Sequence, residues 1–198
     1  APFVENVRHG MFIEAVLVTL VLLASVLAVG HNHRVLVWGV VLAVPAFVIK
    51  WIHYVWPYPV FHRFYFLCTI VFCLFVMAQL FRFVFRAKRV DAEVLCAAIA
   101  AYLLLALIWS FVYILTAEMV PGAFAYTTGH ASGWTMGSFS ALYFSFSTLN
   151  TVGYGDIVPA ADIARMFAMT EATFGMFYMA LMISRLVSLY SSQAHTKA

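Results

Sequence analysis

Apolar runs of membrane-spanning length decide most of what this chain can become. They fall at Met11 to Val29, Val35 to about Trp51, Phe64 to about Phe85, Val94 to Leu115 and Ile163 to about Tyr190. A helix rises about 1.5 Å per residue, so roughly 20 residues cross a hydrocarbon core about 30 Å thick. Composition agrees with that reading. Of the 198 residues 65% are apolar and 10% charged, with mean hydropathy +0.97. A soluble domain is about half apolar and about a quarter charged. A chain this apolar cannot cover itself with polar groups in water. It is expected to be an all-α, multi-pass membrane protein with lipid around it.

Charge and reactive side chains narrow the function. The net charge of +3 is small and dispersed, so there is no basic footprint for nucleic acid, and the basic residues read as helix-end anchors. Cys68, Cys73 and Cys96 lie inside apolar runs without a CxxC spacing; they read as small buried hydrophobes. His31 and His33 are the one close histidine pair, and four converging ligands for a metal are not visible around them. No nucleophile, base and orienting group can be assembled, so no enzyme and no cofactor are expected.

The chain divides into three parts. Residues 1–90 hold upstream membrane helices, with a break at Pro57 and Pro59 beside an interfacial aromatic cluster of Trp51, Tyr54, Trp56 and Tyr58. Residues 91–190 hold two long runs flanking a stretch rich in Gly, Ser, Thr and aromatics from Glu118 to Pro159. Residues 191–198 form a short polar tail. With a cytoplasmic C-terminus, five spans put Arg34, Arg82, Arg86, Lys88, Arg89, Arg185 and Lys197 inside, seven of the eleven Lys and Arg residues. Arg8, Lys50, Arg63 and Arg165 fall near the outside. That excess favours this orientation. An N-terminus on the inside needs an even number of spans, and the chain begins at Ala1. An upstream helix or signal peptide beyond this sequence is therefore expected, the alternative being an N-terminus outside.

Between the last two runs stands Thr151-Val152-Gly153-Tyr154-Gly155-Asp156. The segment resembles the selectivity filter of the potassium channel superfamily. The resemblance covers about 105 residues and implies a two-helix pore module: an outer helix at Val94 to Leu115, a re-entrant pore helix from an N-cap at Ser138 to about Leu149, the filter, and an inner helix. One filter per chain implies a homotetramer. A potassium ion must leave its hydration shell in a narrow pore, and carbonyls of Thr151, Val152, Gly153 and Tyr154, with the Thr151 hydroxyl, would replace it. Gly153 and Gly155 reach backbone conformations closed to other residues. Val152 and Tyr154 would point away from the ions. The C-terminal end of the pore helix would favour a cation in the cavity.

Further roles follow from the same resemblance. Asp156 would bond an aromatic donor of the pore helix, with Tyr143 the best placed. Asn150 replaces the commoner threonine before the filter threonine. Gly175, twenty residues after Gly155, is either the hinge glycine of inner helices or a glycine for close helix packing. Met176, Met179, Ile183 and Val187 would line the cavity and its inner mouth. Glu171 is an intramembrane carboxylate. It reads as a brace to Ser145, Thr148 or Asn150 on the pore helix, the alternative being a titratable sensor.

The run from Phe64 to Phe85 has no Arg or Lys between Arg63 and Arg82. Voltage sensing needs several such charges inside the membrane, so the upstream part reads as sensor-like without gating charges. It resembles that of small prokaryotic channels, which implies the plasma membrane. The function expected is passive, potassium-selective conduction. The alternatives are a non-selective cation channel or a subunit of a potassium uptake system.

Overall fold

The computed structural model describes residues 33–55, 59–87, 89, 91–127 and 136–197. The expected first span, Met11 to Val29, lies outside the described residues, as do Arg8, His31, Trp56, Pro57, Tyr58 and Lys88. So do the side chains of His33, Arg34, Lys50, Trp51, Tyr54 and Lys197.

Five helices account for most of the described chain: α1 (His33–Val55), α2 (Pro59–Arg86), α3 (Ala92–Met119), α4 (Ser138–Leu149) and α5 (Asp162–Lys197). Two three-residue strands, β1 (Phe124–Tyr126) and β2 (Ile157–Pro159), flank α4 in sequence. Three helical stretches are long and apolar enough to cross a membrane: Arg63–Arg86, Ala92–Met119 and Asp162–Ser188. In α1 the apolar stretch described is shorter, Val37–Ile49, and the helix continues through Pro45. The protein is an all-α, multi-pass membrane protein. Packing divides it into two units, Ala1–Gln79 and Leu80–Ala198. The division falls inside α2, ten or so residues before the boundary at residue 90 read from the sequence.

Local chemistry explains the helix ends in the second unit. At the start of α3, the Asp91 carbonyl accepts from Val94 N at 3.1 Å and Leu95 N at 3.2 Å. Glu93 sits in the first turn, where a negative charge favours the helix dipole. The helix ends as Val120 N donates to Thr116 O at 2.9 Å. Pro121 and Gly122 follow, the latter at φ 75°, and turn the chain into β1. Strands β1 and β2 pair antiparallel, Phe124 opposite Pro159 and Tyr126 opposite Ile157. Ala160 N and Ala161 N both donate to Ala123 O, at 2.8 and 3.2 Å. This ribbon clips the end of α3 to the start of α5 and closes the segment between them into a loop.

Two boundaries differ from those the sequence suggested. Gly137, not Ser138, is the N-cap of α4. Its backbone is extended and its carbonyl accepts from Ala141 N at 3.0 Å, so Ser138 is already the first helical residue. At the other end α5 does not stop near Tyr190 but runs to Lys197. Nothing in the polar tail is a Gly or Pro, and a backbone with no breaker continues its ladder past the last apolar turn.

Candidate functional site

Residue spacing on α4 explains why this short helix is held inside the unit. Ala141, Phe144, Ser145 and Leu149 are buried, a stripe at helical period that faces α3 and α5. Phe144 closes an aromatic triangle with Tyr113 of α3 and Phe124 of β1. The ring centroids lie 4.9 Å (Tyr113–Phe144), 5.6 Å (Tyr113–Phe124) and 5.5 Å (Phe124–Phe144) apart, all edge-on. Each such pair contributes about 0.5–1.5 kcal/mol beyond its buried area. The triangle fixes where the Tyr113 hydroxyl goes.

It goes to Glu171. This carboxyl on α5 is completely buried within the chain. Tyr113 donates to Oε2, and Ser145 Oγ lies 2.5 Å from Oε1. Ser145 Oγ is also 2.7 Å from the Ala106 carbonyl. One acidic side chain thus ties α3, α4 and α5 together, and its polar atoms are not left unpartnered in apolar surroundings. Of the three α4-side partners expected for it, Ser145 takes the place. The Thr148 carbonyl instead accepts from Thr151 N at 2.9 Å, and Asn150 turns elsewhere.

Gly175 lies one turn beyond Glu171. A Cβ there would sit 2.5 Å from the Leu149 carbonyl oxygen and 3.0 Å from Leu149 Cδ1. The glycine lets α5 touch the C-terminal end of α4. Geometry therefore gives the packing reading a concrete reason, and α5 continues through this position.

At Leu149 the helix gives way to the Thr-Val-Gly-Tyr-Gly loop. Val152 N and Gly153 N reach back to Ser147 O at 2.8 and 3.3 Å. Thr151, Gly153 and Gly155 have φ of 55°, 60° and 77°, while Val152 and Tyr154 are not among the positive-φ residues. Handedness alternates residue by residue. Gly155 and Gly153 adopt these angles freely, but Thr151 is β-branched, and holding it there costs on the order of 1–3 kcal/mol. The surroundings must impose it.

The far end of the loop is bound to the ribbon. Thr127 Oγ1 donates to Gly155 O at 2.6 Å and Thr127 N to Asp156 O at 2.9 Å. The Asp156 side chain accepts from Ile157 N at 3.0 Å and lies near enough to Tyr143 to act on its phenol electrostatically. Tyr143 stacks on Tyr154, with centroids 5.9 Å apart and planes at 11°. So Tyr143, Tyr154 and Asp156 come together, whereas Val152 and Tyr154 remain 51% and 70% exposed in the single chain.

Met176, Met179, Ile183 and Val187 are all exposed on α5. The face of α5 that packs within the chain is instead Ala164, Glu171, Tyr178 and Met182.

Two tyrosines escaped the sequence reading. Tyr113 holds Glu171, and Tyr102 donates to Asn150 Oδ1 at 2.9 Å. The available signal was a phenol in the middle of a long apolar run, since a buried hydroxyl needs a partner.

In the second unit a twelve-residue helix, α4, ends in a loop rich in glycine and lies in sequence between two helices long and apolar enough to cross a membrane. Residues 101–192 match the family model described as "Ion channel". A protein of Rhodopseudomonas palustris that carries the name of a potassium channel protein is 33% identical over 70 residues, 35% of this chain and 17% of its own length. Two pore potassium channels b and c of Oryza sativa subsp. japonica are 49% identical over 47 residues and 36% over 69. These cover 23% and 35% of this chain, and 14% of each relative. The chain thus spans well under two thirds of these relatives' length. No solved structure gives a significant match. Residues 101–192 are thus similar to an ion channel family, and the names of the relatives support a likeness to the potassium channel superfamily.

Proposed function

We propose that this chain is one subunit of a homotetrameric channel that conducts K+ passively and selectively across a prokaryotic plasma membrane. The observation that carries the reading is the alternation of handedness at Thr151, Gly153 and Gly155, inside Thr-Val-Gly-Tyr-Gly and directly after α4. A backbone that alternates left- and right-handed residues turns its N–H groups to one side and its carbonyls to the other. Thr151, Val152, Gly153 and Tyr154 then offer a row of carbonyl oxygens, joined at one end by the Thr151 hydroxyl. Such a row replaces the water that K+ sheds.

One chain supplies one wall of such a site, and rotational symmetry supplies the others. The exposure of Val152 and Tyr154 fits neighbours that cover them. Met176, Met179, Ile183 and Val187 line the cavity below the filter in this reading, with Gly175 beside the filter base. The C-terminal end of α4 points its partial negative charge at the cavity and favours the entering cation. Tyr143, Asn150, Asp156 and Glu171 hold the loop from behind.

The test is purified protein in planar bilayers with opposed K+ and Na+ gradients. A reversal potential close to that of K+ is expected. Equal Na+ permeability replaces this reading with a non-selective cation channel.

A further inference from the structure

We infer that Tyr102 is a positioning residue for the inner end of the filter, acting through Asn150; this rests on the channel reading above. The filter begins at a bend in which Thr151 takes a left-handed conformation that a β-branched residue does not adopt by itself. Asn150, the residue just before it, uses both ends of its side chain. Its Nδ2 donates to Phe146 O at 2.8 Å, which keeps Asn150 on the end of α4. Its Oδ1 accepts from the Tyr102 hydroxyl at 2.9 Å, and that hydroxyl lies 3.4 Å from Leu149 O as well. A threonine at position 150 would have to donate to Phe146 O and accept from Tyr102 through one hydroxyl on a shorter side chain, where Asn150 spreads the two bonds over two atoms. The asparagine that distinguishes this filter entry is therefore matched to a tyrosine 48 residues earlier.

Tyr102 is itself held. Its ring lies 5.3 Å from that of Tyr178 on α5. Tyr178 donates to the Ala98 carbonyl, one turn before Tyr102 on α3, and its other side meets Phe81 with centroids 6.0 Å apart. Leu149 is fixed from the opposite direction by the close approach of Gly175. The junction between helix and filter is thus clamped between α3 and α5. The tether sets the direction of Thr151, whose carbonyl and hydroxyl form the innermost ion site.

The experiment compares wild type with Tyr102→Phe, Asn150→Leu and the double variant, all reconstituted as full chains. Readouts are the K+/Na+ permeability ratio and the K+ concentration that half-protects the tetramer against thermal dissociation. Loss of one neutral hydrogen bond corresponds to a roughly 2- to 10-fold effect. Tyr102→Phe, which keeps the ring against Tyr178, is expected to lower the ratio and raise the K+ midpoint by about that factor. The double variant is expected to be no worse than the more affected single one, because both remove the same bond. A Tyr102→Phe channel with wild-type ratio and midpoint overturns the inference, and so do additive effects in the double variant. A change in melting temperature alone, with both ion readouts unmoved, reduces Tyr102 to packing and also overturns it. If Tyr102→Phe does not assemble, Asn150→Leu alone decides on the same two readouts. A wild type that fails to select K+ sinks the channel reading itself, a different outcome from a silent Tyr102→Phe.

Discussion

Single atoms decide the conformation of the loop. Nothing lies within 4 Å of a Cβ built on Gly153 or Gly155, yet both have φ near 60–77°. The cost of a side chain there is backbone strain and not a clash inside the chain. Gly153→Ala and Gly155→Ala are each expected to abolish K+ current in bilayers while the helices still form by circular dichroism; normal current from either contradicts the filter assignment. Glu171 makes the opposite kind of case, in which the side chain matters and the backbone does not. Glu171→Ala strips partners from Tyr113 and Ser145 in a buried site, at about 1–3 kcal/mol. The expected outcome is a lower dissociation temperature of the tetramer in detergent. Glu171→Gln offers an acceptor to Tyr113 and an N–H to Ser145, so it is expected to stay close to wild type. A pH response lost in the glutamine variant favours the sensor role over the brace.

Between elements, contact distance is the deciding quantity. α5 approaches the end of α4 only because position 175 has no side chain: a methyl group would meet a carbonyl oxygen at 2.5 Å, far inside van der Waals contact. Gly175→Ala is expected to cost about 1–3 kcal/mol of overpacking, read as a drop in thermal stability together with altered K+ selectivity, since Leu149 leads into the filter. A hinge role predicts a different result, a stable protein with changed open probability. The end of α2 is fastened to the same helix further along. Arg185 donates to Phe85 O at 3.0 Å and Ala87 O at 3.1 Å, so a cation on α5 caps carbonyls that α2 leaves free at its C-terminus.

For the molecule as a whole, the distribution of charge sets what the membrane field can move. α2 carries Arg82 and Arg86 near one end and no Arg or Lys from there back to Arg63. Moving one charge through the full field is worth about 2.3 kcal/mol per 100 mV, and a helix without central charges has little to move. A shallow conductance–voltage curve is expected from reconstituted channels. A steep curve that flattens when Arg82 or Arg86 is neutralised would show that these charges do cross the field.

The sequence alone determined the membrane class, the helix spans of the second unit to within four residues apart from the C-terminal end of α5, which runs seven residues further, the glycine-bearing loop after α4 and the need for a partner at Glu171. Each of these is local: apolar run length, a glycine pair, or a carboxylate too costly to bury alone. It also suggested Tyr143 as a neighbour of Asp156, because α4 and the loop are close in the chain. Tertiary structure decided the rest. Tyr113 and Tyr102 are 58 and 48 residues from the groups they bond, and no periodicity within α3 says which of its phenols will face Glu171 or Asn150. Gly175 reads the same in sequence as a hinge or as a contact; only the tertiary structure shows how close it comes to Leu149. The ribbon of β1 and β2 is likewise invisible beforehand, since three residues per strand carry too little pattern, and what creates it is the meeting of two helix ends, Met119 and Asp162, that the chain leaves 43 residues apart.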